Sequence, residues 1–162
     1  MENDAKPVMI IGIDDSDHSF YALEWTLDHF FSASALTPLN YKLMIVHARP
    51  LPSAAIGLAG AGAADVISYV ELDLKKSATK VVEKAKALCE SKSVKDITVE
   101  VVEGDPRNVM CDTVDKYHAT ILVLGSHGYG IIKRAVLGSV SDFCAHHAHC
   151  SVMIVKKPKT HH

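Results

Sequence analysis

Val8-Met-Ile-Ile-Gly-Ile13 runs straight into Asp14-Asp15-Ser16-Asp17, and this change from apolar to acidic decides the fold. A short run without alternation, four of its six residues β-branched, reads as a strand buried on both faces. Ser16 or Asp17 can then cap a helix, because apolar Phe20, Leu23, Leu27, Phe30 and Phe31 follow at three- and four-residue spacing to near Ser34. Thr37-Pro38-Leu39-Asn40 breaks it.

The same strand-then-helix unit repeats along the chain. Tyr41 to Ala48 (YKLMIVHA) is a second strand, stopped by Arg49-Pro50-Leu51-Pro52 because proline cannot continue a central ladder. Ala54 to Ala64 is an uncharged loop rich in Ala and Gly, expected to lie over the strand ends. From Ile67 to Leu88, Ile67, Val70, Leu74, Ala78, Val81, Ala85 and Leu88 mark one face of a long helix. Ile97 to Val102 (ITVEVV) is a third strand, and Gly104-Asp105-Pro106 supplies a turn, a cap and a first-turn proline for a helix to about Tyr117. Ala119 to Leu124 (ATILVL) is the fourth strand, Gly138 to about His147 a short helix, and Val152 to Lys156 (VMIVK) the fifth strand.

Continuous apolar strands separated by amphipathic helices imply an α/β fold: an open, doubly wound parallel five-stranded sheet with helices on both faces and right-handed crossovers. Such a Rossmann-like or flavodoxin-like sheet takes the order 2-1-3-4-5 or the related 3-2-1-4-5, of which the second is the expectation adopted. Ligands sit beyond the carboxyl ends of the strands where the order reverses. That places the loops after Ile13 and after Leu124 face to face.

The 162 residues suit one domain spanning 1–162. With 17 basic and 19 acidic residues, a formal net charge of -2 and a pI near 6.5, the chain has no general attraction for nucleic acid or anionic lipid. Any anion site must be local. There is no apolar run of the ~18 to 20 residues that spans a membrane, and Met1-Glu-Asn-Asp-Ala-Lys lacks a secretory pattern. The expected compartment is the cytoplasm, with the nucleus also open. Cys89, Cys111, Cys144 and Cys150 contain no Cys-x-x-Cys pair and are expected as reduced thiols at apolar positions.

The loop after strand four carries Gly125-Ser126-His127-Gly128-Tyr129-Gly130, then Lys133-Arg134, then Gly138-Ser139-Val140-Ser141. Glycines here would let a ligand approach the main chain, and the helix opening at Gly138 would present unpaired N–H groups, a positive dipole end and two hydroxyls to the crevice. Together these make an anion cradle, to which Lys133 and Arg134 could add charge. The structural alternative is that the glycines only serve a tight strand-to-helix connection. No Walker A spacing is present, and G-x-G-x-x-G is missing after strand one. The acidic trio there would repel phosphate but suits a sugar hydroxyl, an adenine amino group or Mg²⁺. Its structural alternative is helix capping.

These residues together resemble the universal stress protein family, of the nucleotide-binding type. The resemblance rests on the opening strand ending Gly-Ile-Asp-Asp-Ser-Asp-His-Ser, on G-x-x-G-x₉-G-[ST] realised by Gly125, Gly128, Gly138 and Ser139, and on the closing Cys150-Ser-Val-Met-Ile-Val155. It covers nearly the whole chain, and Glu24-Trp25 is similar to plant members. The resemblance implies binding of ATP or AMP, with Mg²⁺ as a companion ion, and a homodimer through Val152 to Val155. By position, Ile13 and Asp14 would contact the adenosine, Ala48 would offer main-chain groups to adenine, and Leu124 and Gly125 would border the ribose. Gly128, Gly138, Ser139, Val140 and Ser141 would hold phosphates, with His127 and Arg134 in the same loop. Ser151 stands where many members have proline, and Ala54 to Ala64 matches no family element.

Three other readings compete with this one. A phosphoacceptor receiver domain would use Asp14-Asp15 with a third aspartate after strand three, but Asp105 precedes Pro106 as a cap. Cys144, His146, His147, His149 and Cys150 have donor types suited to Zn²⁺ in a spacing that closes no four-ligand pattern. A chaperone-like module acting without nucleotide is the alternative to a nucleotide-dependent switch or sensor. Catalysis is not the expectation: His127 and Asp14-Asp15 are the candidates for hydrolysis, which would be slow at most, since no activated nucleophile is evident.

Overall fold

The computed structural model describes residues 5–52, 63–126 and 137–158. In chain order the elements are β1 (Val8–Ile13), α1 (Asp17–Thr26) with a π-helical turn (Leu27–Phe31), β2 (Lys42–Arg49), α2 (Ala63–Ser91), β3 (Ile97–Glu103), α3 (Pro106–Tyr117), β4 (Ile121–Gly125), α4 (Ser139–His147) and β5 (Ser151–Val155). All four strand pairs are parallel, in the order β3-β2-β1-β4-β5. The doubly wound α/β sheet of order 3-2-1-4-5 is therefore the observed fold.

Each strand feeds two cores because its side chains alternate between faces. One face sends Met9, Ile11, Ile13, Leu43, Ile45, Val123 and Val155 against Phe20, Leu23 and Leu27 of the first helix and Val81, Ala85 and Cys89 of α2. The other sends Ile10, Met44, Val46, Ala48, Leu122 and Leu124 against Val109, Met110 and Val114 of α3 and Cys144 of α4. Gly12 belongs to this second face, and a β-carbon there would stand 2.7 Å from Leu124 Cδ2 and 2.8 Å from Met110 Sδ. Its missing side chain is what lets α3 settle on the sheet.

Helix ends follow the local chemistry. Ser16 caps α1, its hydroxyl accepting the Ser19 N–H at 3.2 Å, and Asp105 caps α3 by accepting the Arg107 N–H at 2.9 Å. His118, with φ at +51°, closes α3 in the left-handed conformation. The strand ends shift from expectation by one or two residues, β4 running Ile121–Gly125 and β5 Ser151–Val155, and two helices differ more. The first helix stops its α form at Thr26 and finishes as a π turn at Phe31, with the Ser32 N–H reaching back to Leu27 at 2.7 Å. Thr26 and Ser32 hydroxyls donate to carbonyls four residues earlier, at Ala22 and Asp28, which loosens a helix where they sit. The second helix begins at Ala63 and ends at Ser91, beyond the last apolar position at Leu88. Most of the expected Ala54 to Ala64 loop lies outside the described residues.

All four cysteines are free thiols, Cys89 and Cys144 buried and Cys111 and Cys150 half-buried. Burial pushes the Cys89 thiol up to about 11 and the Cys144 thiol up to about 12.

Candidate functional site at the β1–β4 split

The sheet opens along one line. Pairing between β1 and β4 ends at Ile11–Val123, whereas β1 stays paired to β2 as far as Ile13–His47 and β4 to β5 as far as Gly125–Val155. Gly12-Ile13 and Leu124-Gly125 therefore part from each other at the carboxyl edge, where the strand order reverses. In an open parallel sheet this is the place for a ligand.

The acidic wall comes from β1 and α1. Asp14 Oδ1 accepts the Ser16 N–H at 2.8 Å, the Asp14 N–H goes to Ser19 Oγ at 3.0 Å, and the Ser19 hydroxyl stands 2.9 Å from the Asp14 carbonyl. One carboxylate oxygen is thus used in the turn that leads into the Ser16 cap, and the other has no partner among the described residues. Asp17 sits in the first turn of α1, with Lys157 Nζ at 3.9 Å. Of the acidic trio, Asp17 lies where it complements the dipole of α1, while the cap itself is Ser16.

The opposite wall comes from β4 and α4. Ser126 is buried, its N–H bonded to the Val155 carbonyl at 3.1 Å, and its carbonyl receives both the Gly138 N–H and, at 3.1 Å, the Ser141 hydroxyl. Gly138 precedes α4 in extended conformation, with φ at −72°, and among the described residues no side chain caps this end. The first intrahelical bond runs from the Asp142 N–H to the Gly138 carbonyl, so the N–H groups of Ser139, Val140 and Ser141 have no partner in the helix. They form the positive end of α4. The Ser141 hydroxyl points its hydrogen inward, to Ser126 and Gly138, and so braces the turn.

Gly125 has a constraint of its own. A β-carbon there would lie 2.7 Å from the His18 carbonyl oxygen and 2.8 Å from its carbon, both main-chain atoms of α1. Here the tight connection, rather than close approach of a ligand, demands glycine, and it seats the end of β4 on the first turn of α1.

Of the residues singled out in the sequence, the structure brings Ile13, Asp14, Ala48, Leu124, Gly125, Gly138, Ser139, Val140 and Ser141 to this one edge. His127, Gly128 and Arg134 lie outside the described residues. Two residues were missed. His47, 8% exposed, places its Nδ1 2.9 Å from the Ile13 carbonyl, and Ser19 is buried beneath Asp14. The signal for His47 was there: it is the one ionisable group within the apolar run Leu43 to Ala48. Among the described residues no group of three or more His, Cys, Asp or Glu is placed to hold a metal ion, and no helix is long and apolar enough to cross a membrane.

Residues 8–156 match the model of a family described as the universal stress protein family. The chain is 31% identical to universal stress protein MJ0531 of Methanocaldococcus jannaschii, over 93% of this chain and 82% of that protein. It is 30% identical to universal stress protein PHOS34 of Arabidopsis thaliana, over 91% of this chain but only 61% of that protein. Among solved structures it is similar to an Arabidopsis thaliana universal stress protein family protein with AMP bound (TM-score 0.63, 20% identity, 94% of this chain and 92% of that one). It is also similar to a universal stress protein in complex with cAMP (TM-score 0.61, 24% identity, 94% and 98%). At these identities the structural likeness concerns the fold.

Proposed function

The chain belongs to the universal stress protein family, and from that membership and its split sheet we propose that it binds an adenine nucleotide, ATP or AMP, as a switch or sensor. The observation that carries the reading is the pairing of opposite walls at the split: N–H groups of Ser139, Val140 and Ser141 with no partner among the described residues on one side, the Asp14 carboxylate on the other. Oriented N–H groups suit phosphate, and a carboxylate suits ribose hydroxyls or an adenine amino group. Relatives solved with AMP and with cAMP support the same ligand class.

In this reading Ile13 and Asp14 take the adenosine, the Ala48 main chain meets adenine, and Leu124 and Gly125 flank the ribose. Gly138, Ser139, Val140 and Ser141 hold the phosphates with His127, Gly128 and Arg134, and Asp14 or Asp15 is the natural partner for Mg²⁺. Residues 1–162 act as one such domain in the cytoplasm. As a switch, the protein must have different nucleotide affinity in two conformations, so that ligand shifts the surface offered to partners. β5 is an edge strand whose Val152, Met153 and Ile154 are only half-buried, and its pairing with a second copy would give a homodimer that covers them.

A second reading, interaction without nucleotide, draws on α2, where Val66, Tyr69 and Leu72 are 48%, 77% and 53% exposed.

Isothermal titration separates the two. Nucleotide-free protein is titrated with Mg-ATP and with AMP, beside Gly138→Val, whose backbone conformation any residue can adopt. Micromolar binding corresponds to about 8 kcal/mol. Binding by the parent and its loss in the folded variant is the expected result; no heat and no thermal shift with either ligand refutes the nucleotide reading and favours the second.

A further inference from the structure

The peptide bond joining Ile13 to Asp14 is gripped at both of its polar atoms by side chains from other elements. The Ile13 carbonyl lies 2.9 Å from His47 Nδ1, and since a carbonyl only accepts, that nitrogen carries the hydrogen. The Asp14 N–H donates to Ser19 Oγ at 3.0 Å. His47 lies near the carboxyl end of β2 and Ser19 belongs to the first turn of α1, so two elements converge on a single peptide unit. Both are buried, at 8% and 5% exposure, where a lone polar atom would be costly and a bonded one is held firmly.

This grip sits where the sheet holds β1 from one side only, since β1 is still paired to β2 at Ile13–His47. The β1–β4 ladder has ended two residues earlier, at Ile11, so β4 does not fix the Ile13–Asp14 peptide. Without His47 and Ser19 the peptide would be held from the β2 main chain alone, leaving the Asp14 carboxylate more freedom to swing about it. With them it is set: the Ser19 hydroxyl also reaches the Asp14 carbonyl, and Asp14 Oδ1 is turned onto the Ser16 N–H.

The geometry points to His47 and Ser19 as positioning residues of the nucleotide site, a clamp that fixes the Ile13–Asp14 peptide and presents the Asp14 carboxylate to the nucleoside in one placement. The inference rests on the nucleotide reading above and deepens it. A carboxylate already set loses less freedom on binding, so the clamp acts on affinity without touching the ligand.

The test uses the shape of asparagine. In His47→Asn the side-chain NH₂ stands where Nδ1–H stood, whereas His47→Leu keeps bulk and removes the donor. Mg-ATP affinity is measured by titration, with circular dichroism and melting to confirm folding. His47→Asn is expected within about threefold of the parent, and His47→Leu at least about fivefold weaker, the effect of leaving one buried acceptor unpaired. Ser19→Ala is expected to weaken binding too, and to add less in the His47→Leu background than in the parent, because both act on one peptide. Parent-like binding by folded His47→Leu overturns the clamp, as does equal loss in the Asn and Leu variants, which would assign the effect to ring packing. If the parent binds no nucleotide, the functional reading fails separately. The clamp is then judged by exchange of the Asp14 amide, which must be faster in His47→Leu than in the parent for the clamp to stand.

Discussion

Gly125→Ala separates a glycine required by the protein from one reserved for a ligand. The added β-carbon meets the carbonyl oxygen and carbon of His18 at 2.7 Å and 2.8 Å, and the Ser19 nitrogen at 3.1 Å. These are backbone atoms in the first turn of α1, which cannot rotate away, so the turn or the end of β4 must move. Among the described glycines a left-handed φ occurs at Gly104, not here, so the penalty is purely steric. Overpacking of this kind costs about 1–3 kcal/mol, and alanine's smaller unfolded-state entropy returns about 0.4–1. A net loss of about 1–2 kcal/mol lowers Tm by roughly 2–8 °C in a domain of this size. Gly12→Ala is the control: its β-carbon is as crowded, at 2.7 Å and 2.8 Å, but by the tips of Leu124 and Met110, which can shift rotamer. Its expected loss is under about 1 kcal/mol after the same entropic return. Urea and thermal melts of the two variants, without nucleotide, provide the comparison. Equal losses, or a Gly125→Ala protein melting with the parent, would refute the argument that rigid main chain rather than crowding as such sets the cost.

Two further outcomes follow from titrating groups. The side-chain hydrogen bond from Arg107 is the main cause holding the Asp105 carboxyl below the ordinary carboxylate range, with burial opposing it. A depressed folded pKa means stability that is complete above the unfolded value, near 3.9, and is lost as pH falls through the folded one. Urea melts from pH 6 to 3 should therefore show the parent's advantage over Asp105→Asn, which keeps a capping oxygen, shrinking as pH falls toward the acid end; a constant difference would exclude the pairing. For the thiols, burial pushes Cys89 to about 11 and Cys144 to about 12 and raises the half-buried Cys111 and Cys150 as well, so iodoacetamide at pH 8 should reach the more accessible Cys111 and Cys150 before the two buried thiols in folded protein. Peptide mapping that finds Cys144 alkylated as fast as Cys150 would disprove its burial.

The sheet was legible because each of its strands is short, apolar and followed by a polar break. Six apolar residues before Asp14, or Ala119 to Leu124 before Gly125, admit little but a strand buried on two faces, and the parallel order follows from the helices between. What the sequence concealed was how single groups are used. Phe30 and Phe31 fit an α-helical stripe, yet hydroxyls at Thr26 and Ser32 competing for carbonyls turned that stripe into a π turn. Gly125 matched a phosphate-loop pattern, but its close neighbour is the His18 main chain, a contact between segments over a hundred residues apart. Ser141 carries a hydroxyl where phosphate is expected, while its hydrogen faces the Ser126 carbonyl. Periodicity reports which face is buried; it does not report which polar atom on that face has a partner.

The two walls of the split are not independent, and the reason is α1. Its first turn carries the Ser19 hydroxyl that holds Asp14, and the His18 main chain against which Gly125 is seated. Displacing the end of β4 therefore presses on the turn that sets the carboxylate of β1. Farther along, Glu24 and the neighbouring Asp28 reach Lys92 at the end of α2, at 3.4 Å and 2.9 Å, while Phe20 lies beneath Lys84 at 4.2 Å. The exposed ion pairs contribute little stability singly, but with Phe20 and Leu23 in the core they leave α1 few ways to move except as a body. A ligand that draws the α4 end and the Asp14 loop together would act on α1 from both sides. In this fold the helix whose first turn joins the two walls is the same one whose far end meets Lys92 beside α2.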